Sequence, residues 1–297
     1  RAEAAELWPL VEWCLEYCRR QLTPDGVVAS DTDELEGRFP TGDANLCTST
    51  LYYDALLSAV SLGRELGVES AQTARYAAQA RALARAIDAH FGGEVGGYDT
   101  YRYYAGNTLL RSWICMPLIV GLKERSEGTV RALLGPELMT DDGLLTQQGS
   151  STFWDRSTLY ALRGIYNVGQ ADRATELLHR YSQRRLLGDH VPYPIEAWPE
   201  GSQRHLSAES GLYCRIITEG LFGIRPTGLR SFDLTPSMPA AWESMSLRHI
   251  RAFGSDFDIT VARVADGRLR ITVARPGAKP KIYRAAPGAT IRVKLTD

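Results

Sequence analysis

The hydrophobic pattern changes its period near Pro226, and this change most constrains how the chain can fold. Upstream, apolar residues recur every three or four positions in segments such as 2–22 and 70–91, which is typical of amphipathic helices. Downstream, residues 257–261 and 269–273 alternate apolar and polar side chains around the turn Asp266-Gly267, which indicates a β-hairpin. The sequence therefore predicts a mainly helical domain over residues 1–225 and a small β-sandwich-like domain over residues 226–297.

The helical part is predicted to contain about eight segments separated by long loops. The expected helices cover 2–22, 43–63, 70–91, 108–122, 126–134, 158–166, 171–181 and 207–221, and Asp43 is the expected N-cap of the second. The connections 98–107, 141–155 and 188–201 are rich in aromatic, acidic and amide side chains. Helices that alternate with long loops favour a toroid of helical hairpins over a simple bundle, whose connections are short.

The charges of the chain are nearly balanced, with 34 basic and 35 acidic residues and a net charge of -1. Bulk electrostatics therefore gives no reason to expect a nucleic acid or an anionic membrane surface as partner. No apolar run of about 18 residues predicts a membrane span, and the start lacks a signal-peptide pattern. We expect a small neutral or weakly charged partner, and the compartment stays open between cytoplasm and periplasm or secretion. Because the chain begins at Arg1 without Met, we expect a piece of a longer protein.

The five cysteines are expected to act as small buried hydrophobes, because most lie within apolar helical patterns. Cys14 and Cys18 share a helix face, but no His or further Cys follows at zinc-like spacing. The five histidines are scattered along the chain. We therefore expect neither a metal nor a cofactor.

Several motifs follow one another in a specific order. An acidic loop precedes Leu51-Tyr52-Tyr53-Asp54-Ala55-Leu56; then come Ser112-Trp113, Phe153-Trp154-Asp155-Arg156, Pro194-Ile195-Glu196-Ala197-Trp198, and residues 219–226 and 232–239. This order resembles the second half of the six-hairpin glycosidases, the (α/α)6-barrel enzymes that include trehalases, processing α-glucosidases, α-L-rhamnosidases and inverting disaccharide phosphorylases. The resemblance spans nearly the whole chain. It implies an (α/α)6 toroid that is incomplete here, with the missing hairpins on an upstream segment or a separate chain.

The resemblance also implies an oligosaccharide or polysaccharide substrate and a pair of catalytic carboxylates. Inverting hydrolysis uses an acid and a base that lie roughly 6.5–9.5 Å apart. In similar enzymes the general acid lies in the loop that corresponds to residues 31–38, and alignment on Arg38 favours Glu34. Asp33 is the next candidate, followed by Asp31 and Glu36. A solvated acidic loop is the non-catalytic interpretation of the same charges.

Glu196 resembles the catalytic base of the processing α-glucosidases, one short loop before a barrel helix. Tyr193, Trp198 and the neighbouring prolines would make this loop rigid, and a catalytic base must be preorganised. Glu200 or Glu209 are alternative bases. The non-catalytic interpretation is a surface acid beside a helix.

Aromatic and polar loop residues provide the flat faces and hydrogen-bonding groups that commonly bind a pyranose. Trp154 and Asp155 are the main candidates for substrate contact, whereas Trp113, inside an apolar segment, is expected in the core. The further binding candidates are Arg156, Trp198, Tyr193, Tyr104, Glu209 and His205.

The residues and the resemblance together predict an exo-acting, inverting glycoside hydrolase. One alternative is an inverting disaccharide phosphorylase on the same scaffold, with a phosphate site in place of the base. Another is a non-catalytic glycan-binding domain. A polysaccharide lyase or a sugar epimerase with an (α/α) fold is a more distant option.

Overall fold

The computed structural model describes residues 1–33, 39–187, 193–196 and 207–295. The helices are α1 (Ala2–Arg20), α2 (Leu46–Leu66), α3 (Ser70–Phe91), α4 (Met116–Val120), α5 (Ser126–Leu133), α6 (Asp155–Asn167), α7 (Ala171–Tyr181) and α8 (Ser207–Arg215). A 3-10 turn (Ser112–Cys115) precedes α4, and π-helical turns extend α7 (Ser182–Leu186) and α8 (Ile216–Leu221). Short hairpins interrupt the helices: β1 (Gly92–Val95) with β2 (Tyr98–Tyr101), and β3 (Met139–Thr140) with β4 (Gly143–Leu144).

The start of α2 differs from the sequence prediction. The prediction of Asp43 as N-cap was wrong, because Asn45 takes that position and its side chain accepts a hydrogen bond from the Thr48 N–H at 2.9 Å. The Asp43 carbonyl accepts instead from the Ser30 N–H at 2.9 Å, next to the isolated antiparallel bridge between Ala29 and Ala44. The N-cap shifts by two residues because an asparagine side chain satisfies the first free amides of a helix.

Helix α1 buries only part of its apolar surface. Trp8 and Leu15 are buried, and the Trp8 ring packs edge-on against Tyr76 of α3 at 6.5 Å between centroids. Four large apolar side chains are more than half exposed; we call them the α1 stripe: Leu7, Leu10, Trp13 and Tyr17. The predicted amphipathic helix is therefore present, but part of its apolar surface faces away from the rest of the described chain.

The cysteines also divide between core and surface. Cys47 and Cys115 are buried as predicted, whereas Cys14 and Cys214 are exposed and Cys18 is half-buried. The expectation of burial was wrong for the exposed pair because both lie on solvent-facing sides of their helices. All five cysteines are free thiols.

Two antiparallel sheets form the C-terminal part. The strands are β5 (Ile224–Gly228), β6 (Ser231–Leu234), β7 (Ser244–Ala252), β8 (Ser255–Arg263), β9 (Leu269–Ala274), β10 (Lys281–Ala285) and β11 (Ile291–Lys294). One sheet has the order β11-β6-β5 and the other β10-β9-β8-β7. Phe232 of β6 stacks on Phe257 of β8 at 5.6 Å between centroids, so an aromatic contact joins the sheets. The hairpin predicted around Asp266-Gly267 is the β8–β9 pair.

The β part packs directly on the helices. Arg225 of β5 pairs with Asp54 of α2 at 2.6 Å, and the Ala240 N–H donates to Asp172 of α7 at 2.8 Å. The architecture is consistent with part of a helical toroid followed by a β-rich unit. Among the described helices, none is both long and apolar enough to cross a membrane.

Candidate active site

The acidic loop between residues 31 and 40 is closed at its base. The Thr41 hydroxyl donates to the Asp31 carbonyl at 2.7 Å, and the Asn45 side-chain amide donates to the Thr32 carbonyl at 3.0 Å. Asn45 therefore both caps α2 and holds the loop that precedes it. This arrangement fixes the two ends of the acidic loop at the N-terminus of α2.

Arg111 supports this loop from the interior. Its side chain is almost fully buried, Nη2 donates to the Pro40 carbonyl at 2.6 Å, and Nε donates to Gln147 Oε1 at 3.0 Å. Burial lowers the pKa of the Arg111 guanidinium, while Tyr103 and Asp33 oppose this shift. A buried cation that bonds the backbone at Pro40 holds that end of the loop in place and brings positive charge near the Asp33 carboxylate.

Aromatic rings surround the Arg111 guanidinium on several sides. Its central carbon lies 4.8 Å from the Tyr103 ring centroid, 5.2 Å from that of Phe39 and 5.8 Å from that of Tyr104. Such cation–π contacts stabilise a desolvated guanidinium. Tyr104 in turn packs against Gly42, whose backbone has a φ of 68°. If another residue replaced this glycine, its Cβ would lie 2.7 Å from the Tyr104 Cβ.

Asp33 is the loop carboxylate with a defined partner. The Tyr103 hydroxyl donates to Asp33 Oδ2 at 2.6 Å. Burial raises the pKa of Tyr103 above its usual range, and the Asp33 carboxylate adds to this effect. Asp31 is exposed, and its side chain lies outside this network. Glu34 and Glu36 lie outside the described residues.

A buried ion pair holds the second carboxylate loop. Asp155 and Arg185 lie 2.9 Å apart with side chains 1% and 2% exposed, and Asp155 Oδ2 accepts from the Ile195 N–H at 2.7 Å. Burial is the main reason that the pKa of Tyr181 lies well above its ordinary value, and the charge of Asp155 raises this pKa further. The first residue of α6 therefore fixes the backbone immediately before Glu196.

Glu196 is half-buried, and no described residue forms a hydrogen bond or an ion pair with its carboxylate. Glu209 differs, since its carboxylate is fully buried and Oε1 binds Arg156 Nη2 at 2.7 Å. The Arg156 guanidinium lies over the Trp154 ring at 5.4 Å from the centroid. Of the two candidate bases that the structure describes, Glu196 is the more exposed residue.

One segment, residues 145–155, contains residues that contact the supports of both carboxylate loops. The Gln147 side chain binds Arg111, and the backbones of these two residues form an isolated antiparallel β-bridge. The backbones of Leu145 and Phe153 form another such bridge. Phe153 is followed by Trp154 and then by Asp155, which holds the second loop. Residues 145–155 thus link the two carboxylate loops, which are more than half the chain apart in sequence.

Several predicted substrate contacts have other surroundings in the structure. Trp154 is 2% exposed with Arg156 against its ring, and Asp155 is enclosed in its ion pair, so neither has the open surface that was predicted for substrate contact. Glu209 is likewise buried behind Arg156. Tyr104 and Tyr193 are half-buried. Trp198 and His205, like Glu200, lie outside the described residues.

Sequence reasoning missed the residues that support the loops, above all Arg111, Arg185 and Asn45. A signal was present for Arg111, which stands in the apolar run Leu109-Leu110-Arg111-Ser112-Trp113-Ile114. An arginine inside such a run is rarely buried without a specific partner. Trp113, predicted in the core, is fully buried. Within the described ranges, His, Cys, Asp and Glu side chains form no group of three or more that could hold a metal ion.

Comparison with known proteins supports the fold more than the chemistry. No family profile and no curated protein matches the sequence. A solved structure named sialidase aligns over 97% of this chain and 30% of its own, with a TM-score of 0.65 and 15% identity. A GH78 family rhamnosidase of Bacillus sp. GL1 aligns over 96% and 30%, with a TM-score of 0.59 and 16% identity.

An α-L-rhamnosidase of Streptomyces avermitilis, solved in complex with L-rhamnose, aligns over 98% of this chain and 31% of its own, with a TM-score of 0.50 and 13% identity. The chain therefore spans about three-tenths of the length of each of these three solved structures. At these identities the likeness concerns the fold. The fold of the chain is similar to the folds of this sialidase and these two rhamnosidases, in agreement with the resemblance that the order of the motifs indicated.

Proposed function

We propose that this chain carries the C-terminal part of the catalytic barrel of an exo-acting, inverting glycoside hydrolase that acts on an oligosaccharide or polysaccharide. The observation that carries the proposal is the joint support of two carboxylate loops by residues 145–155. Such support preorganises two carboxyl groups from distant parts of the chain, which acid–base hydrolysis requires.

In this mechanism a carboxylic acid of the loop 31–36 protonates the leaving glycosidic oxygen. Glu34 is favoured for this role by the alignment on Arg38, and Asp33, Glu36 and Asp31 are the alternatives. Glu196 takes a proton from a water molecule, the water oxygen bonds to the anomeric carbon, and the glycosidic C–O bond breaks. The anomeric configuration inverts because water attacks from the face opposite the leaving group.

The surroundings of Glu196 and Glu209 support this choice of base. A base must reach water and change its protonation state during each turnover. Glu196 has a half-buried carboxylate on a backbone that Asp155 fixes, whereas Glu209 is fully buried against Arg156. We therefore assign to Glu209 the positioning of Arg156, which contacts the substrate.

Substrate contacts are proposed for the half-buried Tyr104 and Tyr193, with Arg156, Trp198 and His205 as further contacts. Trp154 and Asp155 are proposed to position other residues of the site. Trp154 packs against the Arg156 guanidinium, and Asp155 binds the backbone before Glu196. The site is proposed to work without a metal or another cofactor.

We also propose that the helices are the C-terminal part of a six-hairpin barrel, which an upstream segment completes. The α1 stripe supports this idea, since four large apolar side chains on one helix are more than half exposed. Exposed apolar surface of this kind commonly marks a contact with another segment. The β-rich part is proposed to be a sandwich-like domain from residue 226.

The deciding experiment compares Glu196→Gln with Glu209→Gln in the longer protein that carries the upstream segment. Released sugar and its anomeric form are followed by NMR on a panel of aryl glycosides and oligosaccharides. Glu196→Gln should reduce kcat by about 10²–10⁴-fold with unchanged stability, because it removes the base and no described contact. Glu209→Gln should instead lower stability, because it leaves Arg156 without a full counter-charge.

The same assay separates the alternatives. Cleavage that requires added phosphate would indicate a phosphorylase, and an unsaturated or isomerised product would indicate a lyase or an epimerase. Saccharide binding without release of product would indicate a glycan-binding domain. A Glu196→Gln variant with wild-type kcat would overturn the assignment of the base.

A further inference from the structure

A second cleft of about 840 Å³ lies between the helices and the β-rich part. It is lined by the C-terminal half of α6, the π-helical turn after α8, and residues of β5 and β6. Helix α6 begins at Asp155 beside the Glu196 loop, whereas its residues 163–167 reach the cleft. At about 1.5 Å per residue, the cleft is roughly 12–18 Å along the helix from Asp155.

One carboxylate in this cleft is shared by two guanidinium groups. Glu219 accepts from Arg163 Nη1 at 2.8 Å and from Arg215 Nε at 2.5 Å. Two positive charges thus face one negative charge, which leaves an excess of one positive charge. Glu219 also holds both side chains in a fixed orientation, so they are preorganised for a further anion.

The other acidic groups of the cleft do not cancel this excess. Asp54 is paired with Arg225, and Asp233 is paired with Arg292, which is not part of the cleft lining. Each of these pairs is neutral. Each carboxylate that lines the cleft among the described residues, Asp54, Glu219 and Asp233, is thus paired with a cation.

Two further cations line the cleft without a carboxylate partner among the residues that the structure describes. Arg263 donates to the backbone carbonyls of Met238, Pro239 and Trp242, which carry no net charge. Lys123 is exposed and forms no ion pair within the described ranges. With the excess at Glu219, the cleft holds three uncompensated positive charges.

Arg163 also has an unmet hydrogen-bonding group. The residue is 7% exposed, and its Nε–H, like the Ser237 hydroxyl in the same cleft, is buried without a partner among the described residues. Burial lowers the pKa of the Arg163 guanidinium, and Glu219 opposes this shift. The Arg163 guanidinium is thus held largely out of water, where its attraction for an anion is stronger than at an exposed position.

We propose that this cleft binds a small organic anion whose phosphate or carboxylate group lies across Arg163, Arg215 and Lys123. The volume suits a small molecule, since ligand pockets commonly measure about 300–1,000 Å³. The site is separate from the carboxylate loops and does not depend on the proposed hydrolase activity. Apolar residues such as Ile224 and Met238 line the same cleft and suit the uncharged part of the ligand.

Isothermal titration calorimetry at low salt tests the proposal with four probes: inorganic phosphate, glucose 6-phosphate, galacturonate and glucose. A charged probe should bind saturably and lose affinity as salt is added, whereas glucose should not bind. Lys123→Glu should weaken binding by about tenfold or more, because it reverses one of the three uncompensated charges. Its side chain is exposed, so the variant should fold.

Arg173→Glu is the matched control, because Arg173 is exposed in a different basic groove with Arg131 and Arg180. Binding that survives Arg173→Glu but weakens in Lys123→Glu supports the cleft as the site. Equal affinity for phosphate and glucose 6-phosphate would assign recognition to the phosphate group alone. Tighter binding of galacturonate would assign it to a carboxylate. Absence of saturable binding by all charged probes, or loss of binding in Arg173→Glu alone, would overturn the proposal.

Discussion

The two carboxylate loops are held in different ways. The acidic loop is fixed by neutral hydrogen bonds from Thr41 and Asn45 at its ends and by Arg111 from below. The backbone before Glu196 is fixed by Asp155, which belongs to a buried ion pair with Arg185. Among the residues that the structure describes, several separate contacts share the support of the first loop, whereas the backbone before Glu196 is held by one member of a buried charge pair.

This difference bears on how each loop responds to a mutation. Loss of a neutral hydrogen bond costs about 0.5–1.5 kcal/mol, and neighbouring contacts limit the movement that follows. Loss of one member of a buried ion pair leaves a charge without compensation, which costs about 3–5 kcal/mol. We therefore expect the Glu196 side of the site to be the more easily broken.

Asp155→Asn should have the largest effect. The substitution keeps the shape of the side chain but removes its charge, so the free energy of unfolding should fall by about 3–5 kcal/mol. Denaturant unfolding measures this loss. Hydrogen exchange at the Ile195 amide should also become faster, because this amide donates to the Asp155 carboxylate.

Asp142→Asn is the control for that experiment. Asp142 pairs with Arg184, whose side chain is 54% exposed, and such surface pairs contribute about 0–1 kcal/mol. Its unfolding free energy should therefore change little, and Ile195 exchange should stay at the wild-type rate. Equal losses in both variants would show that the buried pair has no special role.

Arg111→Met should have an intermediate effect of about 1–3 kcal/mol on unfolding, since the donors to Pro40 and Gln147 are lost while the apolar stem still packs among aromatic rings. In the active protein kcat should fall more than KM rises, because the acid loop loses its support. Arg102→Met is the control, since Arg102 donates to the Gly92 carbonyl away from both loops. A kcat that falls equally in both variants would contradict the role of Arg111.

Tyr103→Phe should have the smallest effect, about 1 kcal/mol, because it removes the hydrogen bond from the Tyr103 hydroxyl to Asp33 and keeps the ring against Arg111. Its pH–rate profile distinguishes the candidate acids. A basic limb that moves in Tyr103→Phe would indicate that Asp33 is the general acid, because a general acid loses its proton as the pH rises. An unchanged profile would leave the role to Glu34, Glu36 or Asp31.

Local patterns predicted the regular elements well. The alternation of apolar residues with a central Asp266-Gly267 turn located the β8–β9 hairpin, and the Ala-rich repeat located α3 over the predicted residues 70–91. In both cases the signal comes from side chains close in sequence. The segment 108–122 was less predictable, since it forms a 3-10 turn and a short helix rather than one long helix.

The same local patterns did not predict the contacts that hold the two carboxylate loops. The contact between Arg111 and Pro40 joins residues that lie far apart in sequence, and so does that between Asp155 and Ile195. Periodicity shows which side of an element is apolar, but it does not show which buried charge meets which distant backbone group. The acidic loop and Glu196 were recognisable as candidates because a resemblance to known enzymes supplied the long-range information.

Gly42 limits how this site can change during evolution. Its left-handed backbone favours glycine, and any side chain there would also strike Tyr104, one of the rings that enclose Arg111. A single replacement at position 42 therefore disturbs the turn, the ring and the buried cation together. A replacement at position 42 would therefore need both a residue that adopts left-handed backbone and a shift of the Tyr104 side chain.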